Sequence, residues 1–102
     1  MENRRVAFII GVVYGTKPEK LEKIPLIIKE IIDAAKGAEF DRCHFKEYND
    51  SSLDFEIVFY VNSAEYSDYM DIRQEINLEI YKKFAAEKIE FAYPTQTVFV
   101  EK

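Results

Sequence analysis

An α+β sandwich with the element order strand, helix, strand, strand, helix, strand is what this sequence predicts, on three observations. A β-branched apolar run opens the chain at residues 6–14. Two stretches with apolar residues at helical spacing follow, at residues 16–37 and 62–87. Between them lie two alternating runs joined by Asn49-Asp50-Ser51-Ser52, a turn-forming link. With a last β-branched run at residues 95–100, this order fits a ferredoxin-like βαββαβ sandwich, two helices on one face of a four-stranded antiparallel sheet. The 102 residues suffice for one such domain, residues 1–102.

Residues 6–14 (VAFIIGVVY) are apolar on both alternating faces, as a strand covered on both sides should be. Thr16 stands three residues before Glu19, the spacing of a capping box, and Pro18 falls in the first turn, where a missing N–H does no harm. Leu21, Ile24, Ile28, Ile31, Ile32 and Ala35 then recur with helical period up to Lys36-Gly37, a basic last turn and a left-handed cap. Pro25 predicts a kink, because an interior proline removes a backbone hydrogen bond at a cost of about 3 kcal/mol unless the helix bends. Leu26 lies opposite the apolar stripe and Ile27 on its flank, so both are expected to be exposed.

Residues 41–48 place Cys43 and Phe45 on one face and Arg42, His44, Lys46 and Tyr48 on the other. In residues 53–61, Leu53, Phe55, Ile57, Phe59 and Val61 share a face, and Asp54, Glu56, Val58 and Tyr60 share its opposite. The two runs form a hairpin in which Lys46 or Arg42 is expected to meet Asp54 or Glu56. Along the second helix Tyr69, Ile76, Ile80 and Phe84 make the apolar stripe, widened by Met70, Ile72 and Tyr81, with Arg73 and Asn77 near it and Leu78 turned away. The outer sheet face then carries Ala7, Ile9, Gly11 and Val13 beside Val58 and Tyr60. That surface is too apolar to stay wet, and a neighbour is expected to cover it. The candidate subunit-interface residues are therefore Ile9, Val13, Leu26, Ile27, Val58 and Tyr60.

The charge balance, 14 Lys+Arg against 19 Asp+Glu for a net −5, disfavours nucleic acid and anionic membrane surfaces as partners. The single cysteine, Cys43, forms no internal disulfide and reads as a small buried hydrophobe in an intracellular chain. Cys43 and His44 are adjacent on a strand and point to opposite faces, so they make no nucleophile–base pair. Gly11 and Gly15 form neither a dinucleotide nor a phosphate-binding loop, and no metal-ligand spacing occurs. No catalytic residue, cofactor or metal is expected. The run at 6–14 is also far short of the ~20 residues that cross a bilayer as a helix.

Three stretches carry a family resemblance. Ile10-Gly11-Val12-Val13-Tyr14-Gly15-Thr16 resembles I-G-V-x-Y-D-T, with Gly15 where an aspartate is common. Asp50-Ser51-Ser52-Leu53-Asp54-Phe55 is similar to a hairpin G-x-S-S-L/I-x-F. Ile76-Asn77 through Phe84, and then Ile89-Glu90-Phe91-Ala92-Tyr93-Pro94, is similar to a helix end followed by I-x-F-P-Y-P, with Ala92 in place of the first proline. Together they resemble the C-terminal part of the small-conductance mechanosensitive channel (MscS-like) family. The resemblance implies a non-catalytic vestibule and oligomerisation domain on the cytoplasmic side of a channel that releases solutes on osmotic downshock. It also implies seven subunits, with the channel's own membrane and middle β-domains as partners outside this segment, and no direct membrane contact from the domain itself. The rival expectation is a free-standing ferredoxin-like regulatory domain that binds a small metabolite where two sheets pair.

Overall fold

In the computed structural model, which describes residues 4–63 and 65–92, the alternating run at 53–61 becomes the centre of the sheet. Five elements follow one another: β1 (Arg4–Val12), α1 (Pro18–Ala34), β2 (Ala38–Tyr48), β3 (Leu53–Val61) and α2 (Tyr66–Ala86). β3 pairs antiparallel with β1 on one side and β2 on the other, so the order is β1-β3-β2. The predicted strand at 95–100 lies outside the described residues. Within them, Phe91 makes one antiparallel bridge to Val12 on the edge of β1 that faces away from β3. Val13 N donates to the Glu90 carbonyl at 3.1 Å and Ala92 N to the Gly11 carbonyl at 2.9 Å. Among the described residues the architecture is thus two helices and a three-stranded antiparallel sheet.

Register decides which face is buried. Val6, Phe59 and Phe40 form one row across the sheet, Phe8, Ile57 and Cys43 the next, and Ile10, Phe55 and Phe45 a third. A single hydrophobic cluster joins this face to Ile24, Ile28, Ile31 and Ile32 of α1 and to Ile76, Ile80 and Phe84 of α2. Phe55 and Phe59 therefore take the inward positions that their spacing predicts. Cys43 lies in the same layer as a buried free thiol.

The helix ends differ from the sequence reading in instructive ways. α1 starts at Pro18 after an extended Lys17, and Thr16 does not cap it: its hydroxyl turns back to donate to the Val13 carbonyl at 2.7 Å. Pro18 takes the first helical position, where its fixed φ suits the helix, and this leaves Thr16 one residue too early to act as the cap. The helix runs through Pro25 to Ala34 and stops before Lys36-Gly37. Gly37, at φ +89°, serves the turn into β2. α2 begins at Tyr66, later than predicted, after Ser63 Oγ accepts from Glu65 N at 3.1 Å and donates to Asp68 at 3.0 Å. It ends with Ile89 N bonded to the Phe84 carbonyl at 2.8 Å and Lys88 N to the Ala85 carbonyl at 3.1 Å. Lys88 holds φ +62°, in the left-handed place that glycine usually takes in this motif.

Two bulges interrupt β2, one between Phe40 and Arg42 and one between Phe45 and Glu47. The second shifts the parity, so Tyr48 pairs with Leu53 and lies on the face of Phe45, 5.3 Å from its ring, and not with His44 as strict alternation predicts. Met70 and Tyr81 do not widen the buried stripe of α2 but stay exposed, and Ile27 is half-buried against the core.

Glu87, just past α2, accepts from Lys20 at 3.1 Å and Lys23 at 3.0 Å, tying the start of α1 to the end of α2. Hydrogen bonds from Lys23 and then Lys20 hold its carboxyl below the usual range. A carboxyl with a lower pKa folded than unfolded adds stability above its unfolded pKa, and that stability fades as pH falls through the folded value. In a Glu87→Gln variant the acid side of the stability–pH curve is expected to be shallower than in the parent, as followed by thermal unfolding. In denaturant unfolding, Phe84→Ala should cost about 3–5 kcal/mol, because it empties a fully enclosed site, whereas exposed Leu26→Ala should stay within about 0.5 kcal/mol.

Candidate functional site: the outer sheet face and the end of β1

The outer face consists of four rows in register: Arg5, Tyr60 and Glu39; Ala7, Val58 and Arg42; Ile9, Glu56 and His44; Gly11, Asp54 and Glu47. The structure does not bring the six interface candidates together. Ile9 is 48% exposed and Tyr60 half-buried on this face. Val58, in the middle row of the central strand, is wholly buried within the chain and has no surface to offer a neighbour. Val13 lies beyond β1, and Leu26 is 64% exposed on α1, in the other layer of the domain. The outer face is more mixed than its β1 and β3 residues suggest, because β2 contributes Glu39, Arg42, His44 and Glu47 to it.

The expected ion pairs across the hairpin do not form. Arg42 stands opposite Val58 and bonds its own neighbour Asp41 at 2.7 Å, while Lys46 is the extra residue of the second bulge. Asp54 instead anchors a polar cluster, accepting from Ser52 Oγ at 2.7 Å and Asn49 Nδ2 at 3.0 Å. Asn49 N closes the hairpin on the Ser52 carbonyl at 2.8 Å, and the Tyr14 hydroxyl donates to the Asn49 carbonyl. Gly11 completes the joint through lack of volume: a Cβ there would lie 3.0 Å from Ser52 Cβ and 3.2 Å from Asp54 Oδ1. β1, its following turn and the hairpin are thereby locked at one end of the sheet. The signal available in the sequence was an aspartate two residues after a serine at a hairpin end, a pattern in which short polar side chains bond locally.

A second cluster escaped sequence reasoning. The Arg4 guanidinium lies 5.1 Å from the Tyr69 ring and 5.7 Å from that of Tyr66. Arg73 donates to the Tyr69 hydroxyl at 3.1 Å and lies 6.0 Å from the Phe8 ring. Tyr69 thus receives two cations and fastens the start of β1 to α2. Burial pushes the Cys43 thiol up to about 12, which keeps it protonated and a poor nucleophile. Exposed His44 points to the other face, beside Glu56. Among the described residues no group of His, Cys, Asp and Glu is arranged to hold a metal ion, and no helix is long and apolar enough to cross a membrane.

These features define a two-layer α+β domain, with both helices packed through one hydrophobic cluster on one face of the sheet. The family described as "Mechanosensitive ion channel MscS, C-terminal" matches residues 6–91. An MscS-family protein of Aquifex aeolicus is 40% identical over 97% of this chain and 28% of its own length. The small-conductance mechanosensitive channel MscMJ of Methanocaldococcus jannaschii is 39% identical over 99% of the chain and 29% of its own length. The crystal structure of Helicobacter pylori MscS in its closed state superposes with a TM-score of 0.67 at 24% identity, covering 91% of this chain and 36% of that one, and shares the fold. The chain belongs to the MscS family, as a C-terminal domain, and spans less than a third of the length of these curated relatives.

The joint at Gly11 is open to a double-mutant test. Gly11→Ala should destabilise by about 1–3 kcal/mol through overpacking. Combined with Ser52→Gly, which removes the nearest atom, it should cost less than the sum of the two single changes in denaturant unfolding. Strict additivity would show that close approach is not the reason for glycine.

Proposed function

We propose that this chain is the non-catalytic vestibule and oligomerisation domain, on the cytoplasmic side, of a heptameric mechanosensitive channel that opens under membrane tension and releases solutes on osmotic downshock. The observation that carries this reading is the 39% identity to MscMJ over nearly the whole chain, supported by the family match to residues 6–91. The pore and its membrane spans then belong to the larger part of the full-length protein, since the relatives are more than three times as long as the matched segment.

The geometry supports a ring. A cyclic assembly above a dimer needs two different, complementary patches on each subunit, whereas a two-fold dimer needs one patch that matches itself. Ile9 and Tyr60 on the outer sheet face and Leu26 on the helical layer are apolar groups separated by the thickness of the domain. With Val58 enclosed, the interface residues reduce to Ile9, Tyr60 and Leu26, with Val13 and Ile27 at their margins. The net charge of −5 gives the vestibule wall an excess of carboxylates, which raises the local concentration of cations.

The test is a chimera in which this chain replaces the matching C-terminal segment of MscMJ. Stretch-activated currents should persist in patched spheroplasts, and chemical cross-linking should give a ladder ending at seven subunits. Ile9→Asp with Leu26→Asp should shorten the ladder and lower the current. A chimera that reaches the membrane yet stays monomeric and silent would refute the proposal.

A further inference from the structure

The end of β1 carries a second feature, independent of any role in a channel. A cavity of about 440 Å³ opens there, lined by Val13, Gly15, Thr16, Lys17, Lys20, Lys88 and Glu90. Its volume falls within the range of about 300–1,000 Å³ typical of small-molecule sites. Three lysines line it from three separate stretches: Lys17 from the turn after β1, Lys20 from the first turns of α1 and Lys88 from the segment after α2. Such a concentration runs against a net charge of −5. Lys20 is already engaged by Glu87 at 3.1 Å, but among the described residues neither Lys17 nor Lys88 forms an ion pair. The lining also holds one carboxylate, Glu90, which forms no ion pair among the described residues either.

The walls are set by backbone bonds. Lys88 is fixed at φ +62° by the two hydrogen bonds that end α2, and Glu90 is tied to the residue after β1 through Val13 N at 3.1 Å. Lys20 is steadied by its ion pair. A ligand entering this space therefore meets a lining whose backbone is already in place.

We propose that this cavity binds a phosphate monoester of a small polyol. The phosphate, carrying about −1.5 to −2 charges at neutral pH, would sit between Lys17 and Lys88, and a hydroxyl of the polyol would donate to Glu90. The carboxylate sets the class: it repels a second phosphate and accepts from a hydroxyl, so a bare phosphate leaves it unused and a polyphosphate meets repulsion. This site lies at the end of the sheet and does not require paired sheet faces.

The experiment is an ¹⁵N NMR titration of the 102-residue chain with glycerol 3-phosphate, inorganic phosphate and glycerol at fixed ionic strength. Saturable shifts are expected at Gly15, Thr16, Lys17, Lys88 and Glu90, with glycerol 3-phosphate binding more tightly than inorganic phosphate and glycerol not at all. Lys88→Gln should weaken binding roughly tenfold, as loss of a charge-assisted contact would. Gly15→Asp should do at least as much, since a side chain at Gly15 meets nothing within 4 Å and adds a carboxylate without a clash. Lys36→Gln, on a lysine outside the cavity, should leave binding unchanged. Shifts that do not saturate, equal affinity for ester and inorganic phosphate, or equal weakening by Lys36→Gln would each overturn the proposal.

Discussion

The fold depends on β3 being buried on both of its faces. Inward, Phe55, Ile57, Phe59 and Val61 are enclosed by the helices. Outward, Val58 and Asp54 are also buried. A strand with partners on both edges and no free apolar face fixes the register of everything paired to it, since a slip of one residue would exchange Phe55 for Asp54 in the core. β1 and β2 can then be less regular. β1 follows β3 without a break over nine pairs, and β2 absorbs two bulges and still returns to register at Tyr48 and Leu53.

Those bulges explain why the polar chemistry of the hairpin differs from a simple alternating ladder. Each adds one residue to β2, which moves Arg42 opposite Val58 and takes Lys46 out of the pairing. Asp54, left without a basic partner, is satisfied from within the turn by Asn49 and Ser52. A buried carboxylate without such donors would be costly. The same small residues leave room for β1 to approach at Gly11, so the electrostatic need of Asp54 and the steric need of Gly11 are met by one joint.

Much of this was legible in the sequence because the burial pattern is strong where the elements are long. The stripe Ile24, Ile28, Ile31 and Ile32, the inward set Phe55, Ile57 and Phe59, and the hairpin at residues 49–52 all follow from period and turn chemistry. The motifs around Gly11, Ser52 and Phe91 also pointed to the family that the comparisons bear out. What escaped depends on single residues at element ends. Thr16 and Glu19 satisfy the capping-box spacing, yet Pro18 decides the helix start. A bulge carries no compositional mark in 41–48, so strict alternation puts Tyr48 on the face opposite to the one it takes. Val58 reads as exposed by alternation, and only the coverage supplied by its neighbours closes it. Arg4 near Tyr66 and Tyr69 joins residues more than 60 positions apart, beyond any local pattern.

The two ends of β1 have different physical characters, and this bears on how the domain can transmit a load. At its start, Arg4 is held through aromatic faces by Tyr66 and Tyr69, contacts that tolerate small shifts because a ring offers a broad target. At its end, Gly11 and Tyr14 are held by directional hydrogen bonds and a close approach of Gly11 to Ser52 and Asp54, which leaves less room for a shift. A displacement arriving at the first residues of β1 would therefore be taken up at the Tyr69 cluster before it disturbed the joint at Asp54. Antiparallel bonds along all of β1 carry the remaining load in shear, with many bonds sharing it at once. The nine consecutive pairs with β3 join these two anchors, so β1 couples the Tyr69 cluster at one end of the sheet to the Asp54 joint at the other.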